Sequence, residues 1–152
     1  NMARAPKGGD TAQIKGVASG ECGVALTNTY YLARLIKSTK PEDKAVVDKV
    51  RVVFPNQGTS GTHVNIAGAG VAKHAKNRDN AILFMEFLSS PYAQDYFANG
   101  NNEFPTVKGL KIDNPAIKAM GGDGFKAETV PLGVVAKNMT KVQQMLDRVG
   151  YK

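Results

Sequence analysis

The sequence predicts an α/β protein. Stretches with apolar residues at helical spacing alternate along the chain with short apolar runs rich in valine. Those runs lack polar alternation, as strands buried on both faces of a parallel sheet do, and helix-capping residues stand before several of the helical stretches. The 152 residues, with 16 Gly, 7 Pro, one Cys and no Trp, have ordinary globular composition.

The elements follow in order. Asp10 is expected as the N-cap of a first helix, with Gln13 as its capping-box partner, Ile14 and Val17 on one face and Gly20 at the left-handed C′ position. Residues 22–27 (CGVALT) read as a buried strand that ends at Asn28 and Thr29. A helix starts at Thr29, with Tyr31, Leu32, Leu35 and Ile36 on one side and Lys37 near its negative end. Pro41 suits the first position of a third helix reaching Lys49, followed by a strand over 50–54 that Pro55 closes. Residues 56–61 (NQGTSG) are the most linker-like stretch and the candidate hinge, and 63–66 alternate. Asp79 or Asn80 is expected to cap an apolar helix over 81–88; Ser90 and Pro91 start another to about Ala98, stopped by Gly100. Asn114 and Pro115 open a short helix to Met120, 121–124 form a turn, and a terminal helix over 140–149 is closed by Gly150.

Composition excludes several classes. The longest apolar stretches run to four or five residues, far below the roughly 20 of a bilayer-spanning helix, so no direct membrane span is expected. The net charge of +7 invites a nucleic-acid reading, but the excess is spread along the chain and no Lys/Arg run exceeds two residues. No nucleic-acid partner is therefore expected. The lone Cys22 rules out an intrachain disulfide and any multi-cysteine metal site. Ser60 is not in a G-x-S-x-G elbow and no nucleophile stands with a base, so the chain is not expected to be an enzyme. His63 and His74 lack partners at metal-ligand spacing and read as surface or hinge histidines. The residues before Lys7 carry Arg4 but no apolar core, so they form no secretory signal, nor do they look like a natural start.

Tyr30 and Tyr31 stand out. They are adjacent phenols just after an expected buried strand, in the first turn of a helix, where the helix dipole favours an anionic group. A phenol ligates poorly at neutral pH unless a cation displaces its proton, and hard oxygen anions suit ferric iron better than zinc or copper. The alternative is ordinary packing, one ring in the core and the other at the rim with its hydroxyl in water. The spacing leaves both open.

The surrounding residues narrow the choice. Residues 9–22 (GDTAQIKGVASGEC) followed by 24–32 (VALTNTYYL) resemble the iron-binding segment of bacterial ferric-iron ABC-transporter substrate-binding proteins. Residues 64–71 (VNIAGAGV), 77–91, 102–105 (NEFP) and 146–152 (LDRVGYK) resemble later blocks of the same family, in the same order.

The resemblance implies the two-lobed type II periplasmic-binding-protein fold, with this chain supplying most of the C-terminal lobe and a returning segment of the N-terminal lobe. On that topology residues 1–60 form C-terminal lobe with the tyrosine pair, 61–111 the hinge and returning segment, and 112–152 the terminal helices of the C-terminal lobe. The resemblance also implies Fe³⁺ as the transported ligand, held by Tyr30 and Tyr31 and released by reduction or protonation. Delivery would be to an ABC permease from a periplasmic location. Asn28 matches a position that in some members holds a synergistic anion. Asp10 stands where the anion-using members carry a neutral amide, and a carboxylate there would repel phosphate or carbonate, which argues against a phosphate-dependent site; a synergistic anion or water is the expected completion of the shell. The bland role of Asp10 is the helix cap already described. The family's chains are about double this length, so a second polypeptide carrying the N-terminal half, with further ligands, is expected; without it the apolar helix over 81–88 would expose a large patch. A different solute, an anion or small organic molecule with the tyrosines as packing residues, is the alternative function.

Overall fold

In the computed structural model, residues 5, 7–111 and 113–151 are described. The expectations about the chain start, which rest partly on residues 1–4 and 6, fall outside them. Seven α-helices occur among the described residues: α1 (Asp10–Ala18), α2 (Thr29–Lys37), α3 (Pro41–Val47), α4 (Arg78–Leu88), α5 (Pro91–Tyr96), α6 (Pro115–Ala119) and α7 (Leu132–Arg148). A single π-helical turn, Phe97–Asn101, extends α5.

The chain forms two compact units. Unit 1 takes in the chain up to Val53 and Ile66–Gly124; unit 2 is Phe54–Asn65 with the chain from Phe125 onward. The core lies in unit 1, where Ile14 of α1, Leu32, Ala33 and Leu35 of α2, and Ala116, Ile117 and Met120 of and beside α6 are buried with Val50. The spacing of Leu32, Leu35 and Ile36 puts them on the inner side of α2, as expected from the period of 3.6. Beyond α5, Asn114 is fully buried and caps α6, its Oδ1 accepting from the amides of Ala116 (3.0 Å) and Ile117 (3.3 Å). Its Nδ2 donates to the Ala98 carbonyl (2.8 Å) and to Asn102 Oδ1 (3.0 Å), tying α6 to the π turn.

Several local expectations are corrected. Gly9 is the N-cap of α1; Asp10 is its first residue, and the Gln13 amide donates to the Lys7 carbonyl. The capping-box reading of Asp10 and Gln13 therefore fails, whereas Gly20 does take a left-handed φ of 80° beyond the helix. Asn77, not Asp79 or Asn80, caps α4. Gly100 does not stop α5, because the chain widens into the π turn and ends at Asn102, φ 62°. The last helix begins at Leu132, eight residues before Thr140, with Pro131 preceding it as N-cap.

The expected strands are not formed. An isolated parallel bridge, Thr62 to Ala127, stands alone, and no strand ladder occurs among the described residues. Strands exist only as pairs, and the runs 22–27 and 50–54 find no neighbour to exchange hydrogen bonds with. Cys22 is accordingly half-buried, not deep in a sheet. The candidate hinge over 56–61 is tied down inside unit 2. The Gln57 side chain accepts from the Lys126 amide (2.6 Å) and donates to the Lys126 carbonyl (3.0 Å) and Thr62 Oγ1 (2.8 Å). Phe54 stacks on Phe125 at 4.4 Å. Gly61, at φ 93°, lies so close that a Cβ would stand 2.7 Å from the Ala127 carbonyl carbon.

Candidate functional site

The start of α2 is built by a contact across 18 residues. Asn28 is extended and precedes the helix, with its side chain making no capping bond to α2. Instead its backbone N–H donates to Asp10 Oδ2 at 2.7 Å, and its side-chain Nδ2 donates to the same oxygen at 3.1 Å. The two residues singled out as neighbours of the candidate site are thus joined to each other.

Tyr30 and Tyr31 follow directly. Their ring centroids are 4.4 Å apart with a tilt of 36° between planes. One turn further, the Arg34 guanidinium carbon stands 5.3 Å from the Tyr30 ring and 5.2 Å from the Tyr31 ring, a cation over both π faces. Both tyrosines are half-buried, and Tyr31 packs against the core beside α2. A hydrogen bond with Tyr31 is the main influence that raises Tyr30 above the ordinary phenol range; desolvation and the negative charges of Tyr31 and Asp10 add to it, and Arg34 opposes it. Without a cation, Tyr30 keeps its proton at neutral pH.

The arrangement offers two phenol oxygens from consecutive residues, a carboxylate linked through Asn28, and a guanidinium within one helical turn. That donor set is hard and oxygen-based, suited to a small trivalent cation once the phenol protons leave. No group of three or more His, Cys, Asp or Glu that could hold a metal occurs among the described residues. His63 sits against Glu128 in unit 2, and His74 is exposed. Two surface hollows, of about 200 and 310 Å³, are lined by residues of α5 and the segment after it and by residues of α1 and α3; neither includes a tyrosine of the pair. Sequence reading missed Arg34, although its spacing of four and three residues from Tyr30 and Tyr31 is the helical signal that would have found it.

The phenol pair thus stands at the start of α2, on the edge of the helical core. The chain belongs to the family of bacterial extracellular solute-binding proteins, which it matches over residues 2–121. It is 46% identical to iron uptake protein A2 of Synechocystis sp. (strain ATCC 27184 / PCC 6803 / Kazusa), over 100% of this chain and 44% of that protein. Among solved structures it is 50% identical to Trichodesmium IdiA (FutA) in complex with iron and citrate, with a TM-score of 0.89 over 98% of this chain and 46% of that one. The ferric binding protein from Campylobacter jejuni matches at 38% identity and a TM-score of 0.90, over 100% of this chain and 47% of that one. The chain thus spans a little under half the length of the relatives it matches. These superpositions bear out the expected fold class, part of the two-lobed type II periplasmic-binding-protein fold.

Proposed function

We propose that this chain forms part of a binding protein that takes up ferric iron in the periplasm and delivers it to an ABC permease, without catalysing a reaction. Tyr30 and Tyr31 act as tyrosinate ligands. The observation that carries this is the phenol pair itself, two rings 4.4 Å apart at the start of α2 with Arg34 over both faces. The printed names of the relatives, an iron uptake protein and structures of ferric-binding proteins, one with iron and citrate, support the same cargo.

Asp10 and Asn28 act beside the ligands. Asn28 already gives two donors to Asp10, so an exogenous anion would have to compete with a fixed carboxylate for them. Water or a ligand from elsewhere in the protein completes the shell more readily than phosphate or carbonate. Residues 1–60 and 112–152 serve the C-terminal lobe, 61–111 the hinge and the returning N-terminal-lobe segment, and the remaining ligands come from the half of the fold this chain does not span, supplied by a second polypeptide. Release follows reduction or protonation: Fe²⁺ is less charged and softer, so it holds phenolates less well against protons.

The test is a visible-absorption titration with ferric citrate of the protein complete in both lobes, alongside its Tyr30→Phe/Tyr31→Phe variant. A saturable red-orange tyrosinate-to-iron band at one iron per protein, absent from the variant, is expected. A band indifferent to the substitutions, or none, returns the tyrosines to packing and shifts the cargo to an anion or small organic solute.

A further inference from the structure

We infer that Asn99 is a site of spontaneous covalent modification, converted to aspartate and isoaspartate through a cyclic imide with Gly100, and that the conversion loosens the cap of α6; neither step involves iron. Asn99 is the sole asparagine followed by glycine in the 152 residues. Every other asparagine precedes a residue whose side chain crowds its backbone nitrogen or, at Asn114, a proline with no N–H to lose. Glycine has no Cβ, so its nitrogen is open to attack the preceding side-chain amide and its backbone turns freely into the ring geometry.

The fold leaves room for that ring. Both residues are exposed, in the π turn that extends α5, and helix ends open locally more readily than helix centres. Around Gly100 nothing stands within 4 Å of where a Cβ would be. Asn99 Nδ2 donates to Asp95 Oδ1 (3.0 Å), and the Asn99 carbonyl accepts from Lys37 Nζ (2.9 Å).

In the first step the Gly100 nitrogen bonds to Asn99 Cγ, the Cγ–Nδ2 bond breaks, and Nδ2 leaves as ammonia with the proton lost from the Gly100 N–H. Water then opens the ring. Attack at Cγ gives aspartate; attack at the main-chain carbonyl carbon gives isoaspartate, whose backbone runs through Cβ and Cγ. Either product puts a carboxylate one helical turn from Asp95, replacing an amide donor by a like charge. Isoaspartate also lengthens the main chain, and the added carbon falls between two points pinned by a single atom. Asn114 Nδ2 donates to the Ala98 carbonyl (2.8 Å) and to Asn102 Oδ1 (3.0 Å). Because Asn114 Oδ1 holds the first amides of α6, a shift of either point passes to that cap.

The test ages the protein complete in both lobes at mildly alkaline pH and follows every asparagine by peptide mass spectrometry, with isoaspartate resolved chromatographically. Asn99 should convert before any other asparagine. Gly100→Ala, whose Cβ meets open space, should keep the fold and slow the conversion at least about tenfold. In the aged protein the amides of Ala116 and Ile117 should exchange about fivefold faster, the worth of a helix cap, while that of Thr62 in unit 2 does not change. An Asn99 that stays intact while other asparagines convert overturns the inference, as does conversion at an unchanged rate in the Gly100→Ala variant. Conversion that leaves the α6 amides as protected as before overturns the link to the cap.

Discussion

A single carboxylate oxygen, Oδ2 of Asp10, accepts both the backbone and the side-chain N–H of Asn28, at 2.7 and 3.1 Å. The bond joins the first residue of α1 to the residue that opens α2, and so fixes where the tyrosine pair begins. Replacing Asp10 by Ala should free that end of α2 and cost about 1–3 kcal/mol, the usual range for a hydrogen bond to a charged acceptor that is lost with its donors left behind. Urea denaturation checks the stability. Amide exchange should show the loss confined to Asn28 and the first turn of α2, and Asp10→Asn, which keeps an acceptor, should lose less.

Iron binding by the pair should depend steeply on pH. Tyr30 is held above the ordinary phenol range mainly by its hydrogen bond with Tyr31, so at neutral pH it is protonated and iron must displace that proton. Acid favours the protonated, iron-free form and alkali the bound one. Affinity should therefore rise with pH by roughly tenfold per unit for each phenol that ionises on binding. Proton release measured in a pH-stat during ferric addition checks it; no release would show that the phenols do not ligate.

Asn114→Ala should be among the most damaging single changes in unit 1. It removes the cap of α6 and leaves the buried Ala98 carbonyl and Asn102 amide oxygen short of a donor. Caps of this kind contribute about 1 kcal/mol and an orphaned buried acceptor costs about 1–3 kcal/mol, so a loss of about 2–4 kcal/mol is expected from chemical denaturation. Asn114→Asp keeps the cap oxygen but loses the two donors, and should fall between.

Gly61→Ala should loosen unit 2 and leave unit 1 as it is. A Cβ at this position meets the backbone of Ala127 and Lys126 at under 3 Å, and φ of 93° disfavours any side chain. The expected cost is about 1–3 kcal/mol. Hydrogen exchange at the amides of Thr62 and Glu128, which bond across the parallel bridge, should accelerate while the core amides of α2 do not.

What could be read in the sequence was local chemistry. Asn114 with Pro115, Ser90 with Pro91 and Gly20 announce their caps because a cap is satisfied within a few residues, and the structure has all three. The inner side of α2 followed from spacing alone. Asp10 was misjudged because its partner lies 18 residues away and Gly9 takes the cap. Pro131 and Gly133 obscured the start of α7, although a proline just ahead of a helix is compatible with it. The π turn beyond α5 has no period of its own to detect, and its closure depends on the distant Asn114. The expectation of strands over 22–27 and 50–54 fails, because pairing is a property of two segments and one run cannot disclose its neighbour. At the candidate site the tyrosines were visible as residues, while their joining to Arg34 and, through Asn28, to Asp10 needed the helix geometry.

The contact between the Tyr30 and Tyr31 rings also makes the site self-reporting. These 152 residues contain five tyrosines and no tryptophan, so their ultraviolet emission is tyrosine emission alone, unobscured by the brighter indole. Two of the five emitters lie in mutual contact under a guanidinium. A bound ion that draws the protons from those phenols would darken them, turning a native pair of side chains into an optical gauge of occupancy that needs no attached dye.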